Sequence, residues 1–180
     1  GQSFRPSDVI TARNGLRVEI DNTDAEGRLI LADAITRASE DGNALILDLA
    51  TLTGAARVAL GPELPPFFTD DEALAADLSH AAQHARDPLW RLPLWRPYED
   101  DLDSNIADIK NSGGPFAGAI NGALFISKFV KTTGNDPVWA HLDVYCWNPK
   151  EKPAHPMCGE VHAVRAIDAL LRARFPALPA

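Results

Sequence analysis

One short stretch carries residue types at a spacing suited to a metal centre. In Asn22, Thr23, Asp24, Ala25, Glu26, Gly27, Arg28 and Leu29, two acids and a base fall at alternate positions. On an extended backbone, side chains at i, i+2 and i+4 point to one side, so Asp24, Glu26 and Arg28 would converge on one small volume. The two carboxylates are hard oxygen donors suited to a divalent ion. Held close together they repel unless a cation or proton lies between them. The same letters also suit a solvated loop entering the first turn of a helix, where the helix dipole favours acids. Spacing alone leaves both readings open.

Other reactive side chains make weaker cases. His80 and His84 stand i, i+4 on an expected helix, but HAAQH lacks the glutamate of a HExxH site, and a solvent-facing pair is expected. His141 lies inside an expected strand and reads as a hydrogen-bonded structural histidine. His155 and His162 have no readable role. Ser112, before Gly113 and Gly114, sits in no GxSxG elbow, so those glycines read as points of close backbone approach. There is no GxxxxGK phosphate loop. Trp90, Trp95 and Tyr98, set among prolines, read as loop packing or a subunit contact.

The elements that position these residues alternate. A strand is expected over Leu16–Ile20 and a helix over Arg28–Ser39, with Leu29, Ala32, Ile35 and Ala38 at helical spacing and Gly42 as its breaker. The apolar run Ala44–Leu49 reads as a strand covered on both faces. Thr51, Leu52, Thr53 and Gly54 then form a strand-to-helix turn whose free N–H groups can hold an anion, followed by a helix over Ala55–Leu60. Further helices are expected over 71–86, capped by Asp70, over 118–131 and over Val161–Arg174, with a buried strand over Val138–Tyr145. The Pro-containing stretches 61–66, 88–97 and 149–156 read as loops. This order gives an α/β fold, a layered sandwich of helices on a mixed sheet.

With 180 residues, 46% of them hydrophobic, the chain suits one domain with a sizeable core. A net charge of -8 with scattered basic residues gives no footprint for nucleic acid. No apolar run nears the roughly 20 residues that span a bilayer, so no membrane partner and a cytoplasmic location are expected. Cys146 and Cys158 read as reduced, buried thiols. Gly1 opens the chain without a methionine, in a polar stretch that reads as the middle of a loop, so a piece of a longer protein is expected.

The string NTDAEGRL, continued by Ile30 to Ala34, resembles the signature of the leucine aminopeptidase (cytosol aminopeptidase) family. Similar stretches follow the family in order: RPSDV at Arg5–Val9, DLATLTGA at Asp48–Ala55, SNIADIKNSGG at Ser104–Gly114 and WAHLD at Trp139–Asp143. The resemblance implies that residues 1–180 are the C-terminal part of a metallo-aminopeptidase catalytic domain. Its fold would be a three-layer αβα sandwich with a mixed, largely parallel sheet, truncated at its N-terminal side. It implies an exopeptidase acting on peptides with a free N-terminus, with two divalent ions, manganese or zinc. Glu26 would bridge the ions, Asp24 would add its carboxylate and carbonyl, and Arg28 would hold a bicarbonate acting as general base. Leu52 would help bind that anion, and Thr51 with Gly54 would line the pocket for the first side chain. A homohexamer is implied for the complete enzyme.

In the family, a lysine and two aspartates on an upstream segment complete the metal site, and a second lysine there stabilises the tetrahedral intermediate. That segment is not in this chain, and Lys110, Lys128 and Lys131 lie in motifs of other character, so the chain by itself is expected to be inactive. Two departures stand near the C-terminus. Tyr145, Cys146 and Trp147 follow Val144 where the family has a small residue, reshaping the specificity pocket, and Gly159, Glu160 and Val161 replace the usual Gly-Arg-Pro. The rival reading is a non-catalytic binding or structural subunit that keeps the fold. An ordinary α/β hydrolase fails for want of a nucleophile motif.

Overall fold

The computed structural model describes residues 3–130 and 136–176. The chain divides into two compact units, Gly1–Asp48 with Pro93–Trp139, and Leu49–Leu92 with Ala140–Ala180.

In the first unit, β1 (Val9–Thr11) and β2 (Arg17–Glu19) form an antiparallel hairpin with Val9 opposite Glu19. Its turn is set by Gly15 at φ 89°, a conformation open to glycine. Helix α1 (Glu26–Glu40) follows, burying Leu29, Ala32 and Ile35 along one face. Gly42, at φ 73°, ends it as expected. A 3-10 helix spans Arg96–Leu102, and a short strand, β6 (Ile109–Lys110), pairs parallel with β2, Val18 against Ile109. Helix α4 (Gly118–Ser127) packs on both α1 and the 3-10 helix, which explains why it is buried on nearly every side. It stops short of residue 128. Ser127 turns its hydroxyl onto the Leu124 carbonyl, and the N–H groups of Lys128 and Phe129 reach back only three residues. The end of the expected helix, Lys131, lies outside the described residues.

Strands β3 (Leu45–Ala50) and β7 (Val138–Asp143) run from the first unit into the second. Val138 N–H donates to Ala44 and Val144 N–H to Ala50, the same interval along both strands, so they run parallel. The sheet order is β3-β7-β4-β5, with β4 (Pro66–Phe68) antiparallel to β7 and parallel to β5 (Trp90–Arg91). Strands β8 (Trp147–Asn148) and β9 (Cys158–Gly159) form a separate antiparallel pair. The fold is therefore mixed α/β with partly parallel sheets.

In the second unit, α2 (Gly54–Leu60) leads to α3 (Glu72–Ala85), whose stripe of Leu74, Ala75, Leu78, Ala81 and Ala82 packs on α5 (Val164–Arg174). The cap of α3 is Asp71 and not Asp70: its carboxylate accepts the Leu74 N–H at 2.6 Å, while the Asp71 N–H is taken by Thr69 Oγ1. Helix α5 begins at Val164, three residues later than expected. The buried carboxylate of Asp87 accepts from the N–H groups of Ala163, Arg165 and Ala166 and so fixes where the helix opens.

Several smaller expectations change. Pro66, residues 90–91 and residues 96–97, read as loop, belong to β4, β5 and the 3-10 helix. Cys158 is exposed and Cys146 half-buried, so neither thiol is in the core. Trp90, Trp95 and Tyr98 are exposed on this chain. His80 and His84 face solvent, and His141 is fully buried, stacked on Phe68 with ring centroids 5.9 Å apart. No helix among the described residues is long and apolar enough to cross a membrane.

Candidate functional site

The acidic run is not extended. Asp24 sits in a turn, Ala25 is the N-cap of α1, and Glu26 is the first helical residue. Alternate-side convergence therefore fails as the reason these groups lie together. Asp24 and Glu26 are exposed, whereas Arg28, one turn into the helix, is 9% exposed and points inward. Its Nη1 donates to the Asn111 carbonyl at 2.8 Å, and its guanidinium lies 5.9 Å from the centre of the Phe125 ring.

What shapes the run is Asn111, fully buried and 83 residues from Arg28. Its side-chain oxygen accepts from the N–H groups of Asp21 (2.9 Å) and Asn22 (3.0 Å), and its Nδ2 donates to the carbonyls of Asn22 (2.7 Å) and Ala25 (3.4 Å). Asn22 in turn accepts the Asp24 N–H through Oδ1 at 2.9 Å. Ser112 donates to the Asp21 carboxylate, a structural tie for a residue that no nucleophile motif surrounds. Gly113 is needed beside it, because a Cβ there would overlap the Asn121 amide, while Gly114 faces open space.

Carboxylate oxygens are the right donor type for a divalent ion, so the chemistry of the run fits. The number does not suffice: among the described residues no three His, Cys, Asp or Glu side chains gather as a metal cluster, and such ions take about four or more ligands. The run would hold part of a coordination shell.

In the second unit, the turn Thr51 to Gly54 is organised by Asp143, which is 3% exposed. Its Oδ1 accepts from the N–H groups of Leu52 (3.0 Å) and Thr53 (3.1 Å), and its Oδ2 accepts the Thr53 hydroxyl at 2.6 Å. Thr53 Oγ1 also accepts from the Ala56 N–H, capping α2. Burial pushes the Asp143 carboxyl above its ordinary value, opposed by the Thr53 and Leu52 hydrogen bonds. The N–H groups of Leu52 and Thr53 are thus turned onto Asp143, which weighs against those two as anion holders. Thr51 and Gly54 line a cavity of about 370 Å³ together with Thr53, Arg57, Asp143 and Tyr145. Of the three residues that depart from the family pattern there, Tyr145 lines this cavity and Cys146 and Trp147 do not. Asn111, Asp143 and Arg57 carry no signal of their own in the sequence. The first two lie inside the stretches SNIADIKNSGG and WAHLD, which marks the segments without showing what either side chain holds.

Comparison with known proteins agrees along almost the whole chain. Residues 1–167 match the catalytic domain of the cytosol aminopeptidase family. A probable cytosol aminopeptidase of Synechococcus elongatus is 46% identical over 169 residues, covering 93% of this chain and 34% of that protein. The chain thus spans about a third of the length of the curated relatives it matches. Among solved structures, the cytosol aminopeptidase of Coxiella burnetii superposes with a TM-score of 0.91 at 45% identity, over 97% of this chain and 38% of that one. The bottromycin maturation enzyme BotP in complex with manganese gives 0.88 at 38% identity, over 94% of this chain and 38% of that one. A tomato leucine aminopeptidase mutant gives 0.83 at 40% identity, over 94% and 32%. With the acidic run and the Thr51–Gly54 turn both inside the matched span, the chain belongs to the cytosol aminopeptidase family.

Proposed function

We propose that this chain carries part of the active site of a metal-dependent aminopeptidase, one that releases leucine-type N-terminal residues from peptides by a two-metal, bicarbonate-assisted hydrolysis. The observation that carries the reading is the acidic turn: Asp24 and Glu26 stand exposed on a backbone clamped from within by Asn111, inside the span matched to the family's catalytic domain. The relative solved with manganese supports a divalent ion as cofactor, with zinc the alternative. Such ions, when bound, would lower the pKa of a water and polarise the scissile carbonyl.

Each residue then has a task. Asp24 and Glu26 would give oxygen ligands, the remainder coming from the upstream segment of the complete enzyme. Arg28, its guanidinium fixed by Asn111 and Phe125, would hold bicarbonate as a charge-assisted donor. In the second unit, Thr51 with Gly54 would border the space for the substrate's first side chain. A cytoplasmic homohexamer is the proposed form of the complete enzyme.

The test uses the complete protein. Glu26→Ala should lose bound manganese, measured by elemental analysis after gel filtration, and should lose hydrolysis of a leucyl anilide. Full metal content and an undiminished rate would sink the reading. The 180-residue chain by itself should be inactive; Glu26-dependent turnover by it would show that the upstream segment is dispensable.

A further inference from the structure

The cavity beside the Thr51–Gly54 turn contains one positive charge with no acidic partner. Arg57, exposed on α2, makes no ion pair with any described residue. Its contact is with the Tyr145 ring, its guanidinium carbon 4.6 Å from the ring centre. A guanidinium laid on an aromatic face is held by its plane, while its N–H donors project from its edge. The carboxylate that shares the cavity wall, Asp143, is engaged elsewhere, its oxygens taken by the Leu52 and Thr53 N–H groups and the Thr53 hydroxyl. The cavity, at about 370 Å³, is within the range of small-ligand sites.

We propose that this cavity selects peptides whose N-terminal residue has an acidic side chain, with Arg57 binding that carboxylate and Tyr145 holding the guanidinium in place. The inference rests on the aminopeptidase reading above and replaces its leucine-type preference with an acidic one. An aliphatic first residue would cover the guanidinium without pairing it, a desolvation cost. A lysine would meet like charge. A glutamyl or aspartyl side chain brings the planar acceptor that a guanidinium fork matches.

The experiment compares kcat/KM for glutamyl, leucyl and lysyl anilides in the complete manganese-loaded protein and its Arg57→Met, Arg57→Glu and Tyr145→Ala variants. In parallel, calorimetry measures binding of free L-glutamate and L-glutamine. Arg57→Met should lower the glutamyl-to-leucyl ratio about tenfold, the loss of one charge-assisted bond. Arg57→Glu should shift preference toward lysyl, and Tyr145→Ala should lower the glutamyl ratio by less than Arg57→Met does. Hydrolysis with an unchanged glutamyl-to-leucyl ratio in Arg57→Met would overturn the inference and spare the aminopeptidase reading. No hydrolysis by the wild type, with glutamate still preferred over glutamine through Arg57, would overturn that reading and spare the charge-selective cavity. Loss of both would overturn both.

Discussion

Two loops in this chain are each held by one buried polar side chain some ninety residues distant in sequence, Asn111 for residues 21–25 and Asp143 for residues 52–53. The clamps differ because the loops turn different groups inward. The first directs two N–H groups and two carbonyls at its clamp, and an amide has the oxygen to accept from one pair and the two N–H donors to satisfy the other. The second leads into the N-terminus of α2, where backbone groups are donors, and a carboxylate accepts from two N–H groups and a hydroxyl. The amide is indifferent to pH. The carboxylate gains stronger bonds but carries a desolvation penalty, seen in the upward push that burial gives its pKa. Clamp type thus follows from backbone polarity.

That contrast can be broken at three points. The largest effect is expected from Asn111→Ala, which leaves two N–H groups and two carbonyls without their partner and should cost about 3 kcal/mol in denaturant unfolding. Asn111→Asp should restore the acceptor but set a carboxylate against two carbonyls, so its stability should fall as pH rises through the ordinary carboxylate range. A variant as stable as wild type at neutral pH would show that Asn111 is not a clamp.

An intermediate loss, about 1–2 kcal/mol, is expected for Thr53→Val, which keeps the side-chain shape but removes both the bond to Asp143 and the cap on α2. Combined with Asp143→Asn, the two losses should be less than additive, since they share one hydrogen bond. Strict additivity in the double-mutant cycle would separate the cap from the clamp.

The smallest effect at neutral pH, about 1 kcal/mol or less, is expected for Asp143→Asn, because Oδ1 can still accept two N–H bonds. Its signature is the pH dependence. The folded pKa lies above the ordinary 3.8, so between the two values the folded state binds more protons than the unfolded one. The stability Asp143 contributes is therefore fully present below pH 3.8 and is lost as pH rises through the folded pKa. The wild type should lose stability relative to Asp143→Asn across that window. A wild type that instead gains stability on the variant as pH rises would reverse the assignment.

Much of the scaffold is legible in the order of residues. The stripes of α1 and α3, the breaker Gly42 and the apolar runs of β3 and β7 are local patterns long enough to carry a period. Strands of two or three residues, such as β5, β6, β8 and β9, are too short to show alternation, and they exist only because a partner strand supplies hydrogen bonds. The start of α3 lies one residue beyond its expected place because Asp70 and Asp71 are equivalent caps by type. The Thr69 hydroxyl, by taking the Asp71 N–H, accompanies the choice of the second.

By itself the sequence determined the family, through NTDAEGRL and the ordered stretches around it, and the residue types of the acidic run. It left open whether that run is extended or turned, since the same eight letters satisfy both. Tertiary structure decided it, because the deciding hydrogen bonds come from Asn111, outside any local window. The same holds for Arg57 and Tyr145, far apart in the chain and ordinary in type, whose meeting across one cavity only the folded backbone could arrange.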